Sequence, residues 1–179
     1  ALTLVFVNGR MDRALSNIEQ APKGVTIESL ADVLARGDDL SPWLTQAAGD
    51  SPDDALVSLN TALMNDGAVI RVADGVHVEA PIHLLFFAKR AGMNQVRNVI
   101  VAGKGASVTV AEGYFGGKDA YWTNVVNQFF LAEGASIEHA RQQNEGLAAY
   151  HIGANRVRLS ADARFNSVAV MLGGAVARN

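Results

Sequence analysis

The side chains in this chain that could do chemistry are few. There is no cysteine, which removes disulfides, thiolate nucleophiles and thiolate ligands for zinc or a cluster. Four histidines remain as candidate bases or ligands: His77, His83, His139 and His151. His139 follows Ala135 and Ile137 at inward-facing spacing, in the register that Val110 and Ser167 occupy in neighbouring segments. A buried neutral imidazole donating to a backbone carbonyl is the preferred reading over a metal ligand. His151 approaches it only if successive segments stack with suitable stagger, and neither ring has a carboxylate partner at ligand spacing in the sequence. His77 and His83 flank the bend Glu79-Ala80-Pro81 and read as solvated or packing residues.

Asp119, Glu138 and Glu145 are the acids to weigh for general acid–base work on a glycosidic bond. Such chemistry needs two carboxylates projecting from one face. The outward repeat column described below reads Ser107, Ser136 and Arg164, so these acids are expected as solvated surface charge. Gly113-Tyr114-Phe115-Gly116-Gly117-Lys118-Asp119 invites comparison with a phosphate loop. Glu112 stands where the first glycine belongs, however, and Asp119 replaces the metal-binding hydroxyl, so an exposed loop is expected. Gly103-Lys104-Gly105 reads as a corner. No serine lies in a nucleophile-elbow context. On this reading no residue is catalytic, cofactor-binding or metal-ligating, and no tightly bound metal or nucleotide is expected.

The elements that would position these residues change character along the chain. Leu4 to Val7 reads as a strand ending at the turn Asn8-Gly9, and Gly24 to Ile27 as a second. Glu28 to Ala35 has helical spacing, and Leu40 to Ala48 forms a further short helix. A stronger helix is expected after the cap Ser51 and Pro52, with Asp53 and Asp54 in its first turn and Gly67 just beyond its end. From Ala68 the period becomes two, and Ile82 to Ala88 looks like a strand buried on both faces.

Three segments then superpose without gaps, 98–108, 127–137 and 155–165, and their starting positions keep a nearly constant step. Their columns read Asn98/Asn127/Asn155, Ile100/Phe129/Val157, Gly105/Gly134/Asp162 and Ala106/Ala135/Ala163. Like residues in one column are what stacked coils require, with apolar side chains inward, glycine or aspartate at the corner, and an asparagine ladder at a corner. The reading is mainly β: a parallel β-helix over residues 67–179, preceded by a small α/β region over residues 1–66. A net charge of −3 gives no basic footprint for nucleic acid, and no apolar run is long enough for a transmembrane helix.

Several phrases carry a family resemblance: Leu4-Val5-Phe6-Val7-Asn8-Gly9-Arg10, Asp66-Gly67-Ala68, Val78-Glu79-Ala80-Pro81-Ile82-His83-Leu84, Arg97-Asn98, Ala111-Glu112-Gly113-Tyr114 and Gln142-Gln143-Asn144-Glu145. In this order they resemble the SufB/SufD family, with the opening strand-turn and the lack of cysteine closer to the SufD side. The resemblance implies a right-handed β-helix, a cytoplasmic scaffold without turnover chemistry or cofactor, and partnership with SufB and the ATPase SufC. It also implies a longer chain whose partner-binding part lies beyond residue 179. Both ends look cut, and the apolar stretch Val168 to Leu172 is expected to make the fragment self-associate. A carbohydrate-active or carbohydrate-binding β-helix is the runner-up.

Overall fold

The computed structural model describes residues 2–44 and 55–178. Leu2–Val7 (β1) turns back to Arg10–Met11 (β2) through Asn8 and Gly9, whose φ values of 49° and 75° are those a two-residue hairpin needs. Val25–Ser29 (β3) leads directly into helix Leu30–Ala35 (α1). The sequence spacing started this helix at Glu28. Ser29 instead stays extended and its hydroxyl accepts from the Asp32 N–H, so the cap ends the strand and begins the helix. Ser41–Leu44 (α2) and Ala55–Leu63 (α3) follow. The expected cap at Ser51 and Pro52, with Asp53 and Asp54, and the second half of the helix expected over Leu40–Ala48 lie outside the described residues.

The remaining strands are Ala68–Val72 (β4), Ile82–Ala88 (β5), Gly92–Ala102 (β6), Ser107–Gly116 (β7), Tyr121–Leu131 (β8), Ser136–Asn144 (β9), Tyr150–Leu159 (β10), Arg164–Met171 (β11) and Val176–Arg178 (β12). They alternate between two six-stranded sheets, ordered β11-β9-β7-β5-β1-β2 and β12-β10-β8-β6-β4-β3. All pairs are parallel except the hairpin β1–β2 and the pair β3–β4. The result is a parallel β-helix of about four turns, whose first layer in each sheet is supplied by strands from before residue 67.

Register follows the repeat residue for residue: Asn98 faces Asn127, which faces Asn155. Ala106, Ala135 and Ala163 stack, since the N–H of Ser136 donates to the Ala106 carbonyl and that of Arg164 to Ala135, both at 2.8 Å. A fourth copy precedes the three seen in sequence. Val69 pairs with Val99 and His77 with Ser107, each partner lying one coil further along the chain. At the corners Gly75, Gly105, Gly134 and Asp162 all have positive φ, from 57° to 68°. There the N–H of Gly75 donates to the carbonyl of Lys104, Gly105 to Glu133 and Gly134 to Ala161, at 2.7–2.9 Å.

The interior is a stack of side chains from alternate positions. Leu4, Ile70, Ile82, Leu84, Ile100, Val110, Phe129 and Ile137 are fully buried there, and the rings of Phe6, Phe86 and Tyr114 stack at 4.8 and 4.7 Å. Each such side chain contributes roughly 1.5–3 kcal/mol of burial. Strand β5 corrects one expectation. Ile82, Leu84, Phe86 and Ala88 are buried, but His83, Leu85 and Phe87 are half-buried on the outer face, because the described helices α1 and α3 pack on the other sheet.

Candidate functional site

The lumen changes chemistry along the axis. In the β4–β5 coil the inward residues are Ala68, Ile70, Val72, Ile82, Leu84 and Phe86, all apolar. The register then carries the Leu84 column into Glu112 and Arg141, and the Ile82 column into Val110, His139 and Ser167. Charged groups thus stack directly on aliphatic ones, and burial obliges them to find each other.

They do so around one carboxylate oxygen. Glu112 Oε2 accepts from Arg141 Nε at 3.1 Å, from Asn127 Nδ2 at 3.1 Å and from the Tyr114 hydroxyl at 3.2 Å, and lies 3.4 Å from His139 Nε2. Glu112, His139 and Arg141 are each 3% exposed. The Arg141 guanidinium lies over the Tyr114 ring and reaches Asn155 Oδ1 at 3.0 Å. Burial alone would raise the Glu112 carboxyl, but Arg141 and His139 outweigh it and hold it down at about 2. Burial likewise pulls on Arg141, and Glu112 more than compensates, leaving it raised.

The asparagine column completes this network. Asn98 Nδ2 donates to Asn127 Oδ1 at 2.8 Å and Asn127 Nδ2 to Asn155 Oδ1 at 3.0 Å, while Asn98 Oδ1 accepts the backbone N–H of Ala68. The ladder expected from the sequence exists. Its place does not match: it runs through mid-strand inside the lumen, not at a corner, because the parity that turns Ile100 and Phe129 inward turns Asn98 and Asn127 inward too.

A second buried pair lies nearer the other corner. His151 Nδ1 and Glu145 Oε2 are 2.7 Å apart, and Glu145 also accepts from Gln143 at 3.0 Å and Thr123 at 3.2 Å. Burial opposes ionisation of Glu145, but the bonds from His151, Gln143 and Thr123 leave it lowered.

Several sequence expectations change here. His139 is buried as expected, but Nδ1 meets Ser167 Oγ at 2.8 Å and Nε2 faces Glu112, with no backbone carbonyl involved. Both inner histidines do have carboxylate neighbours, Glu112 and Glu145, which the spacing did not suggest. Glu145 is 5% exposed, not a surface acid. Asp119 and Glu138 are exposed, and Glu138 stands seven residues before Glu145 along an extended strand, about 23 Å away, so the three acids do not converge. Within the glycine-rich stretch, Gly113 to Gly116 belong to β7 with Tyr114 buried, and only Gly117 to Asp119 turn the corner. His77 is exposed and bonds Ser107, and His83 is half-buried. Among the described residues no group of three or more His, Asp or Glu side chains is disposed to hold a metal ion, and no helix is long and apolar enough to cross a membrane.

Ser167, His139 and Glu112 form a line that resembles a nucleophile, base and acid. The carboxylate oxygen, however, is already shared by Arg141, Asn127 and Tyr114, so it serves as a fixed counter-charge between coils. The residues that sequence reasoning missed, Glu112 and Arg141, had a usable signal: they stand one repeat step apart, as Asn98 and Asn127 do, and share the same inward parity. The Glu145–His151 pair spans a corner and carries no such mark.

Fold and lumen together define a parallel β-helix protein whose coils are tied by buried ion pairs and an amide ladder. Family profiles match the chain from end to end: the SufBD protein N-terminal region over residues 1–84 and the SUF system FeS cluster assembly SufBD core domain over residues 86–179. The chain belongs to the SufB/SufD family of iron–sulfur cluster assembly proteins. Among its relatives are the iron-sulfur cluster assembly SufBD family protein slr0076 of Synechocystis sp., 29% identical over 98% of this chain and 41% of that protein, and protein ABCI7, chloroplastic, of Arabidopsis thaliana, 31% identical over 98% of this chain and 38% of that protein. The chain spans about two fifths of the length of these relatives.

Proposed function

We propose that this chain is part of a SufD-like scaffold subunit that acts with SufB and the ATPase SufC in cluster assembly, without turnover chemistry of its own, in the cytoplasm. The observation that supports a scaffold role is where the charge goes. Among the groups best suited to chemistry, Glu112, Arg141 and His139 are directed into contacts that hold successive coils in register, and Glu145 and His151 into a buried pair across one corner. Residues 1–66 serve as a cap on the first coil, and residues 67–179 as the first coils of the β-helix. Partner contacts are assigned to the remainder of the longer protein, and the isolated chain is expected to self-associate through its last coil, where Val168, Val170, Met171 and Leu172 are exposed.

The test is co-expression of the full-length protein with a SufB-type subunit and a SufC-type ATPase, then tagged co-purification alongside the chain of residues 1–179 alone. The expected outcome is a stable ternary complex for the full-length protein and no SufC retained by the short chain. Failure of the full-length protein to retain either partner, or hydrolysis of a polyuronate by the purified protein, would overturn the reading.

A further inference from the structure

Sheet β12-β10-β8-β6 carries an outward row unrelated to the lumen. Register places Met93 beside Trp122, Trp122 beside Tyr150 and Tyr150 beside Val176, one residue from each of four adjacent strands. The row spans roughly 14 Å at the usual strand spacing. Met93 is 56% exposed and Tyr150 49%, and Trp122 is half-buried. Helix α3 covers the adjoining part of the sheet: Asn60 Nδ2 donates to the carbonyls of Val96 and Asn124, and Asn124 Nδ2 donates to that of Leu56, all at 2.9 Å. These bonds fall at residues 96 and 124, three and two residues along the strands from Met93 and Trp122, so the described helix stands beside the row.

The other flank is a corner of stacked turns. Lys89 N–H donates to Asn8 Oδ1, Gly117 N–H donates to the Ala88 carbonyl, and Gly146 packs on the Gly117 carbonyl. The turns present Lys89, Arg90 and Lys118, and the start of β2 beside them presents Arg10, all exposed, against one exposed acid, Asp119. None of the four cations is in an ion pair among the described residues. This corner is basic in a chain whose net charge is −3.

We infer that this row and corner form a docking site for an acidic protein segment, with an apolar or aromatic side chain seated on Met93, Trp122 and Tyr150 and carboxylates facing Lys89, Arg90 and Lys118. Met, Trp, Tyr and Arg are the residue types that concentrate binding energy at interfaces, and the unpaired cations set the sign of the partner. A bilayer is the poorer fit, because α3 stands about 10 Å above the sheet and keeps a flat surface off the row. A nucleic acid is the poorer fit too, since four cations in a net-negative chain give weak phosphate affinity.

The experiment measures fluorescence anisotropy of a short labelled peptide in which glutamates flank a leucine–phenylalanine pair, titrated with the full-length protein. The same peptide with lysine in place of glutamate, phosphatidylcholine–phosphatidylglycerol vesicles and a single-stranded oligonucleotide serve as competitors. The acidic peptide should bind, should release as salt rises, and should lose about tenfold in affinity with Trp122→Ala and with Arg90→Glu. If Trp122→Ala lowers the melting temperature, Arg90→Glu and Lys118→Glu, both on exposed turns, carry the comparison alone. Absence of peptide binding, binding indifferent to the charge reversals, or equal or tighter binding of the vesicles or oligonucleotide would each overturn the assignment.

Discussion

Removing the Arg141 side chain while keeping Glu112 should cost the protein about 3–5 kcal/mol, because it strands a buried carboxylate. Replacing both by leucine should cost less, since no charge is stranded and leucines continue the Leu84 column, the remaining cost being the buried Tyr114 hydroxyl and Asn127 amide that lose Glu112 as acceptor. Urea unfolding of the two single variants and the double variant checks this. The same pair sets a pH dependence. The Glu112 carboxyl lies near 2 in the folded chain against an ordinary value of 4.5, and Glu145 is lowered too. Each group therefore contributes stability that is fully present above about pH 5 and is lost as pH falls through the folded value. For Glu112 this amounts to roughly 3 kcal/mol. Thermal melts from pH 7 down to pH 2 should fall steeply below pH 5, and Glu112→Gln should start from lower stability with a shallower fall. Single side chains were the least legible part of the sequence. His139 announced its inward register, but a lone Glu112 in a run of apolar strand residues reads as surface until its coil neighbour is known.

Among the elements, the corners and the amide ladder add to the long parallel strand pairings that hold coil on coil. Gly134 sits at φ 66° with no side chain crowding it, so Gly134→Ala should cost about 1–2 kcal/mol through backbone strain alone. Asp162 occupies the equivalent place at φ 57°, and Asp162→Gly should be neutral to stabilising. A cost for the first and none for the second, read from paired denaturation curves, is the mark of a conformational effect and not of a lost contact. Asn127→Ala should cost about 1–3 kcal/mol, since it deprives Asn98 of an acceptor and both Asn155 and Glu112 of a donor. Three of the four coil repeats were legible because Asn, Gly or Asp, and Ala recur in columns. The copy at Ala68 to Val78 does not show in the columns because alanine replaces its asparagine and valine its corner alanine, although Asp74-Gly75 marks its turn. The start of α1 is hidden for a related reason: the helical spacing in Glu28 to Ala35 does not show that Ser29 still pairs with Ala68 as a strand.

Across the chain, the switch from a mixed region to stacked coils could be read from period alone, whereas the way the first region joins the rest could not. Leu2, Leu4 and Phe6 of β1 and Val25 and Ile27 of β3 lie in the same core as the coils, because they pair with β5 and β4 over long stretches of intervening sequence. A set of short amphipathic elements gives no hint of which distant edge each will cover. Under the function proposed above, the charged lumen holds the coils together and takes no part in turnover. Cluster delivery to an apo-acceptor by the reconstituted complex of full-length subunits tests this, comparing wild type with the Glu112→Leu, Arg141→Leu double variant and recording the melting temperature of each. If the lumen is structural, the double variant delivers clusters at the wild-type rate whenever it melts within a few degrees of wild type. A double variant that folds as well as wild type and delivers none would show that these charges act on the cluster or its precursors, and a purely structural lumen would be ruled out.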